Sequence, residues 1–273
     1  MRHPHEGSGE VFLRGDDSAA MHPSAERFVD GAAATSARLG LSPLLIGMLV
    51  IGFGTSAPEM LIAAFAAIQS TPGLGIGNAV GSNIANIALI LGGAALLRPL
   101  NSGSQILSRE LPLLILATVL AIALMADQML GRFEGLILLL ALVAALGVLV
   151  RQALIERNAS DPLAAEITSQ IPTDLPLRDA VKWLLIGLVL LLVSSRMLVW
   201  GGVNIAEALG ISDLVIGLTI VAIGTSLPEL AAAIASAIKG EHDLILGNVI
   251  GSNLFNTLAV LGLPSMIAPG LIP

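Results

Sequence analysis

Glu59 and Glu229 stand deep inside long apolar runs, each at the end of the same hexapeptide: GTSAPE at 54–59 and GTSLPE at 224–229. A charged side chain at the bilayer centre costs on the order of 3 kcal/mol on insertion scales, so it normally faces a partner or a hydrated cavity. The neighbouring runs offer no Lys or Arg except Arg196, and that residue lies near the end of its own run, where its long stem lets the charge snorkel to the interface. Two acids without a fixed partner suit a mobile cation. The competing reading is a pair of protonated glutamates hydrogen-bonded in a helix interface.

The residues before each acid explain how such a site could be built. Pro58 and Pro228 lack a backbone donor and clash with the carbonyl four residues earlier, that of Gly54 or Gly224. Nearby carbonyls, including those of Thr55 and Thr225, are then free to face inward, and irregular backbone at this depth is tolerated only where it is buried or lines a cavity. The hydroxyls of Thr55, Ser56, Thr225 and Ser226 add oxygens. For a single copy, a simple proline kink with hydroxyls bonded back to the helix explains the motif equally well. Two copies, each with a Glu, favour the site.

A second motif, GNxxGSNxxN, supplies Asn78, Ser82, Asn83 and Asn86 in one place and Asn248, Ser252, Asn253 and Asn256 in the other. Positions 78, 82 and 86 share one helix face, as do 248, 252 and 256. Gly77, Gly81, Gly247 and Gly251 allow close helix approach, so part of the motif is packing. Every candidate ligand is an oxygen. Calcium takes six to eight oxygens in flexible geometry, and sodium is similarly hard. Transition metals favour His or Cys, and the apolar interior has neither. Two carboxylates balance one Ca²⁺ or two Na⁺, which suggests that the two ions compete for one charge pair.

The elements that must position these residues are membrane helices. Of 273 residues, 55% are hydrophobic and only 12% charged, about half the charge of an ordinary soluble domain. Seven apolar segments approach the length of about 20 residues that a spanning helix needs: 43–68, 74–97, 110–126, 133–150, 181–200, 212–238 and 244–268. The chain has no cysteine, which removes disulfides and thiolate ligands. Its net charge of −7 and scattered basic residues give no nucleic-acid footprint. Residues 1–27 form a polar tail without a signal-peptide core, and its His3, His5 and His22 read as incidental because no ligand spacing accompanies them. The polar, proline-containing stretch 151–182 joins two halves. Nine of the basic residues, from Arg27 and Arg38 to Lys182 and Lys239, fall on the side that precedes the first span, against Arg132 alone on the other. The positive-inside rule makes that side, and the central loop, cytoplasmic.

Adding 170 to a residue number carries the first half onto the second without a gap. LGLSPLLIG (39–47) meets LGISDLVIG (209–217), and GNAVGSN (77–83) meets GNVIGSN (247–253). Between 52–92 and 222–262, 17 of 41 positions are identical, many of them Gly, Pro, Ser, Thr, Asn and Glu rather than interchangeable apolar residues. The two copies start five spans apart. An odd offset reverses the direction of crossing, which is the inverted-topology repeat of secondary transporters, whose site lies between the repeats near the midplane; a channel or an enzyme could also be duplicated, and the inverted sense with a buried charge in each copy favours transport.

With these motifs the sequence resembles the calcium/cation antiporter superfamily, in its prokaryotic sodium/calcium exchanger branch, over about residues 28–270. GTSAPE…GNAVGSNIAN and GTSLPE…GNVIGSNLFN look like that family's paired repeats. The resemblance implies an all-α transmembrane fold and a transporter, not an enzyme, that exchanges Ca²⁺ for Na⁺ by alternating access. It implies no cofactor, and no partner beyond lipid and the transported ions. By resemblance, Glu59 and Glu229 are the central carboxylates for both ions, and Thr55 and Thr225 give backbone carbonyls to Ca²⁺. Ser56, Ser82, Asn86, Ser226, Ser252 and Asn256 complete Na⁺ sites, and Gly52 and Ala222 stand where backbone carbonyls serve external Na⁺. Family members carry Asp or Asn at the position of Asn256. Proton-coupled members place a Glu where this chain has Gly81 and Gly251.

The family pattern of ten spans gives an expectation about the ends. The span at 181–200 should be mirrored at 11–30, where VFLRGDDSAAMHPSAERFVD cannot cross a membrane, and the third and fourth spans should recur near 280–320. The expected organisation is therefore a tail (1–27), a first repeat (28–150) lacking most of its first helix, a cytoplasmic loop (151–180), and a second repeat (181–273) lacking its last two helices, in a bacterial or archaeal inner membrane. Seven of ten spans leave two alternatives to Na⁺/Ca²⁺ exchange: antiport of another cation driven by Na⁺ or H⁺, and a truncated fragment that does not transport.

Overall fold

The computed structural model describes residues 29–32, 34–35, 42–97, 99–100, 109–158 and 176–271. The polar tail with its three histidines and most of the central loop lie outside the described residues. All seven expected segments are helical: α1 (Leu44–Ile68), α2 (Pro72–Leu97), α3 (Leu111–Leu124), α4 (Arg132–Asn158), α5 (Leu177–Ala208), α6 (213–225) with α7 (Leu227–Lys239), and α8 (His242–Ile267). Among the described residues, four of them, α1, α2, α4 and α8, are long and apolar enough to cross a membrane by themselves, and α6 and α7, bent by 46° at their break, reach that length and apolarity together. The fourteen residues of α3 rise only about 21 Å, short of the hydrocarbon thickness. Helices α4 and α5 run past their apolar cores, to Asn158 and from Leu177, because the flanking Arg, Gln, Ala, Leu and Glu are good helix formers. The central connection is shorter than its polarity suggests.

Each GTSxPE motif breaks its helix at one residue. Ser56 has φ −80° and ψ 0°, and Ser226 has φ −81° and ψ 4°. Helix resumes at Ala57 and at Leu227 with proline at the second position, where the missing donor costs nothing. The 170-residue offset also carries the widened π turn at Gly47–Ile51 onto Gly217–Val221 and that at Asn86–Leu91 onto Asn256–Val260. The repeat thus exists in backbone geometry as well as in sequence.

The halves pack by exchanging partners. The first part of α1 lies on α8, so close that a Cβ on Gly251 would stand 2.5 Å from the Met48 carbonyl oxygen. Helix α6 lies on α2 in the same way, and a Cβ on Gly81 would stand 2.6 Å from both the Leu218 oxygen and the Ala222 Cβ. Helix α8 is buried from Leu244 to Gly262, with Leu254, Leu258 and Leu261 packed in a core that includes Leu114, Ala117 and Leu138 of α3 and α4. Its counterpart α2 instead turns Val80, Ile84 and Ile87 outward, an apolar face suited to lipid.

Further contacts tie the ends of the chain to the helices, and neither hydropathy nor the repeat points to them. Two short strands, β1 (Met129–Leu130) and β2 (Gly270–Leu271), pair antiparallel and tie the α3–α4 turn to the segment after α8. Residues 29–32 are helical and dock on the start of α5, where Gly31 faces the Ala180 oxygen and Val29 joins a core with Leu184 and Ala235. Asp30 forms an ion pair with Lys239 at the end of α7.

Candidate cation site

The two breaks place Glu59 and Glu229 in the first turns of new helices, both fully buried. That position, which the sequence reading did not anticipate, sets each carboxylate at the positive end of a helix dipole. The two acids lie within electrostatic reach of each other, with Thr225 near Glu59 and Thr55 near Glu229, the threonine of the opposite repeat in each case, but neither threonine hydroxyl is hydrogen-bonded to a carboxylate oxygen.

Around them the GNxxGSN helices close the site in a crossed pattern. Thr225 Oγ1 donates to Asn78 Oδ1 at 3.1 Å, with Ser82 Oγ 3.4 Å away. Thr55 Oγ1 lies 3.0 Å from the Ile51 oxygen and 3.3 Å from Asn248 Oδ1, with Ser252 Oγ at 3.4 Å. Asn78 Nδ2 donates to the Glu59 carbonyl at 3.4 Å, and Asn248 Nδ2 to the Glu229 carbonyl at 3.5 Å. Ser252 Oγ also donates to Glu229 Oε1 at 3.5 Å. All of these side chains are at most 1% exposed.

Several oxygens in this buried region have no protein donor among the described residues: both carboxylate oxygens of Glu59, Glu229 Oε2, Ser56 Oγ, Ser226 Oγ, Asn86 Oδ1 and Asn256 Oδ1. Buried polar atoms in folded proteins are nearly always paired, so a cluster of unpaired acceptors points to a ligand that supplies positive charge. A hard cation fits a set made of carboxylate, hydroxyl and amide oxygens.

The structure thus joins Thr55 to Ser252 and Glu229, and Thr225 to Ser82, in two crossed sets, and fully or almost fully buries Glu59, Ser56, Ser226, Asn86 and Asn256 on the same helices and their breaks. The Gly52 carbonyl accepts from the Ser56 N–H at 3.1 Å. The Ala222 carbonyl accepts from the Ser226 N–H at 3.1 Å, with the Thr225 hydroxyl 3.3 Å away. The Ala222 carbonyl also faces the Ser82 hydroxyl at 3.5 Å, whereas that of Gly52 meets only the Ser56 N–H in this set of contacts. The side chain of Arg196 lies outside the described residues. Thr257, which accepts a hydrogen bond from Asn83 at 2.9 Å, carried no sequence signal because its repeat counterpart is Ile87.

The sodium/calcium exchanger protein family matches residues 18–151 and 180–273. The chain is 49% identical to CaxA of Alkalimonas amylolytica over 249 residues, spanning 91% of this chain and 78% of that protein. It is 46% identical to the inner membrane protein YrbG of Escherichia coli, over 91% of this chain and 77% of the relative. Among solved structures it is similar to the sodium-calcium exchanger NCX_Mj soaked with Na⁺ and Sr²⁺, with 32% identity, a TM-score of 0.75, and coverage of 93% of this chain and 80% of that one.

Proposed function

The chain belongs to the sodium/calcium exchanger protein family and is an integral-membrane cation antiporter, and on that premise we propose that it exchanges Ca²⁺ for Na⁺ by alternating access. The observation that carries this reading is the cluster of unpaired buried oxygens around Glu59 and Glu229, contributed by both repeats. In the proposed site the two carboxylates hold one Ca²⁺, aided by the carbonyls of Thr55 and Thr225. Alternatively they hold Na⁺ ions completed by Ser56, Ser82, Asn86 and their partners Ser226, Ser252 and Asn256, with the carbonyls of Gly52 and Ala222 on the outer side. One charge pair cannot be balanced by both loads at once, so occupancy by one ion displaces the other. Each load biases the inward–outward equilibrium by its differential affinity for the two states.

The repeats at 28–150 and 181–273 are the two halves of this site, in an inner membrane with the α4–α5 connection cytoplasmic. The close approach at Gly81 and Gly251 supports sodium over proton coupling, since a Glu at either position would collide with backbone of the facing helix.

The test is calcium uptake into vesicles that contain the purified chain. An outward sodium gradient should drive uptake of radioactive calcium, and Glu59→Gln and Glu229→Gln should each abolish it. Absence of gradient-driven uptake by the unmodified chain, or uptake driven equally well by a proton gradient, would refute sodium/calcium exchange.

A further inference from the structure

The repeat predicts that amide contacts should come in pairs, and one pair is broken. Asn86 Nδ2 donates to Asn253 Oδ1 at 2.9 Å, across the two repeats. This bond leaves Asn86 Oδ1 as an unpaired acceptor, so the amide is held with its oxygen available. The 170-residue offset maps Asn86 onto Asn256 and Asn253 onto Asn83, so Asn256 Nδ2 should donate to Asn83 Oδ1. That bond is absent. Asn83 instead donates its own Nδ2 to Thr257 Oγ1 at 2.9 Å, while Asn83 Oδ1, Asn256 Nδ2 and Asn256 Oδ1 are all buried and unpaired. Thr257 is 3% exposed, and the first repeat has Ile87 at its position, which offers no hydroxyl.

We propose that Thr257 is a positioning residue that makes the two amide ligands unequal, by holding Asn83 away from Asn256. The inference rests on the exchanger reading above and adds residues outside its ligand set. On the Asn86 side the amide is pre-oriented, and a cation meets its oxygen without a rotation. On the Asn256 side the amide must be turned, because an unanchored –NH₂ is as free to face the cation as the oxygen is. An amide that must be ordered on binding gives a weaker site than one already held. The asymmetry bears on Na⁺, whose proposed shell uses the amides, more than on Ca²⁺, whose shell uses the carboxylates and threonine carbonyls.

The experiment is calcium binding to the purified full chain, with sodium competition. Thr257→Val removes the hydroxyl and frees Asn83 to anchor Asn256 as Asn253 anchors Asn86. The expected result is a sodium competition constant lowered about threefold or more, the scale of one modest hydrogen bond, with the calcium constant unchanged. Thr257→Ser keeps the hydroxyl and should behave as the unmodified chain. Asn253→Leu removes the anchor of Asn86 and should move the sodium constant the other way. A Thr257→Val chain whose sodium constant is unmoved, or moved together with calcium, overturns the inference. A chain that binds calcium yet shows no sodium competition in any form removes the exchanger reading itself, and this inference with it.

Discussion

Thr225 donates to Asn78 across 147 positions of sequence, at 3.1 Å and with both side chains fully buried. This contact stitches the second repeat's kink to the first repeat's polar helix. Thr225→Val removes the closest donor to Asn78 Oδ1, leaving only Ser82 Oγ at 3.5 Å. The expected cost is about 0.5–1.5 kcal/mol, the net worth of one hydrogen bond where a longer contact remains, read as a lower thermal midpoint, together with weaker calcium binding. Thr225→Ser should restore both. Calcium affinity that survives Thr225→Val would separate this threonine from the site.

The glutamates should behave in the opposite way. Both carboxylate oxygens of Glu59 and one of Glu229 are buried without a protein donor, so each acid costs stability while it is ionised and its ligand absent. Glu59→Gln should leave the thermal midpoint unchanged or higher and remove calcium flux. Calcium at 100 times its dissociation constant should stabilise the unmodified chain by about 2.7 kcal/mol, and Glu59→Gln should lose that increment. A midpoint that falls sharply in calcium-free buffer on Glu59→Gln would mean the acid is a structural hydrogen-bonding partner.

Much of this arrangement was legible in the sequence, because it is carried by local chemistry repeated at a fixed offset. Pro58 and Pro228 mark the helix breaks, and GTSxPE and GNxxGSN mark the polar faces. Hydropathy located the apolar parts of α4 and α5 and missed their helical ends, since it does not register the propensity of Arg, Gln and Glu for helix. The widened turns at 86–91 and 256–260 and the strand pair of Met129 with Leu271 follow from tertiary packing and left no periodic trace. Thr257 escaped notice for a related reason. Comparing the repeats highlights what they share, and its role lies in a difference.

Outside the spanning segments, Glu241 gives a pH dependence. Burial, then the neighbouring Asp243, push its carboxyl up from 4.5, with Asp30 adding to the rise and Lys239 and His242 opposing it. A folded-state value above the unfolded one means the folded chain holds the proton longer. Stability contributed here is therefore full below the unfolded value and falls as pH rises through the folded one. Glu241→Gln should match the unmodified chain in acid and exceed its thermal midpoint at neutral pH. An equal midpoint difference at both pH values would assign the effect to packing.

Helix contact at the crossed interfaces sets a steric prediction, and two glycines with different surroundings separate it from helix propensity. A methyl on Gly81 would meet the Leu218 oxygen and the Ala222 Cβ, both at 2.6 Å, and one on Gly251 would meet the Met48 oxygen at 2.5 Å. Backbone cannot yield as the tip of a side chain can, so α2 and α6, or α1 and α8, must move apart. Gly93, also in α2, has nothing within 4 Å of its would-be Cβ. Alanine is the better helix former by roughly 1 kcal/mol, so Gly93→Ala should be neutral or stabilising. Gly81→Ala and Gly251→Ala should lose about 1–3 kcal/mol through overpacking. Because those helices also carry Ser82, Ser252 and the threonines they face, the same substitutions should weaken calcium binding, whereas Gly93→Ala should leave it intact. Thermal midpoints and calcium titrations of the three variants check both halves of the argument. A Gly81→Ala chain with unmodified stability and affinity would show that the α2–α6 contact is looser than the distances require.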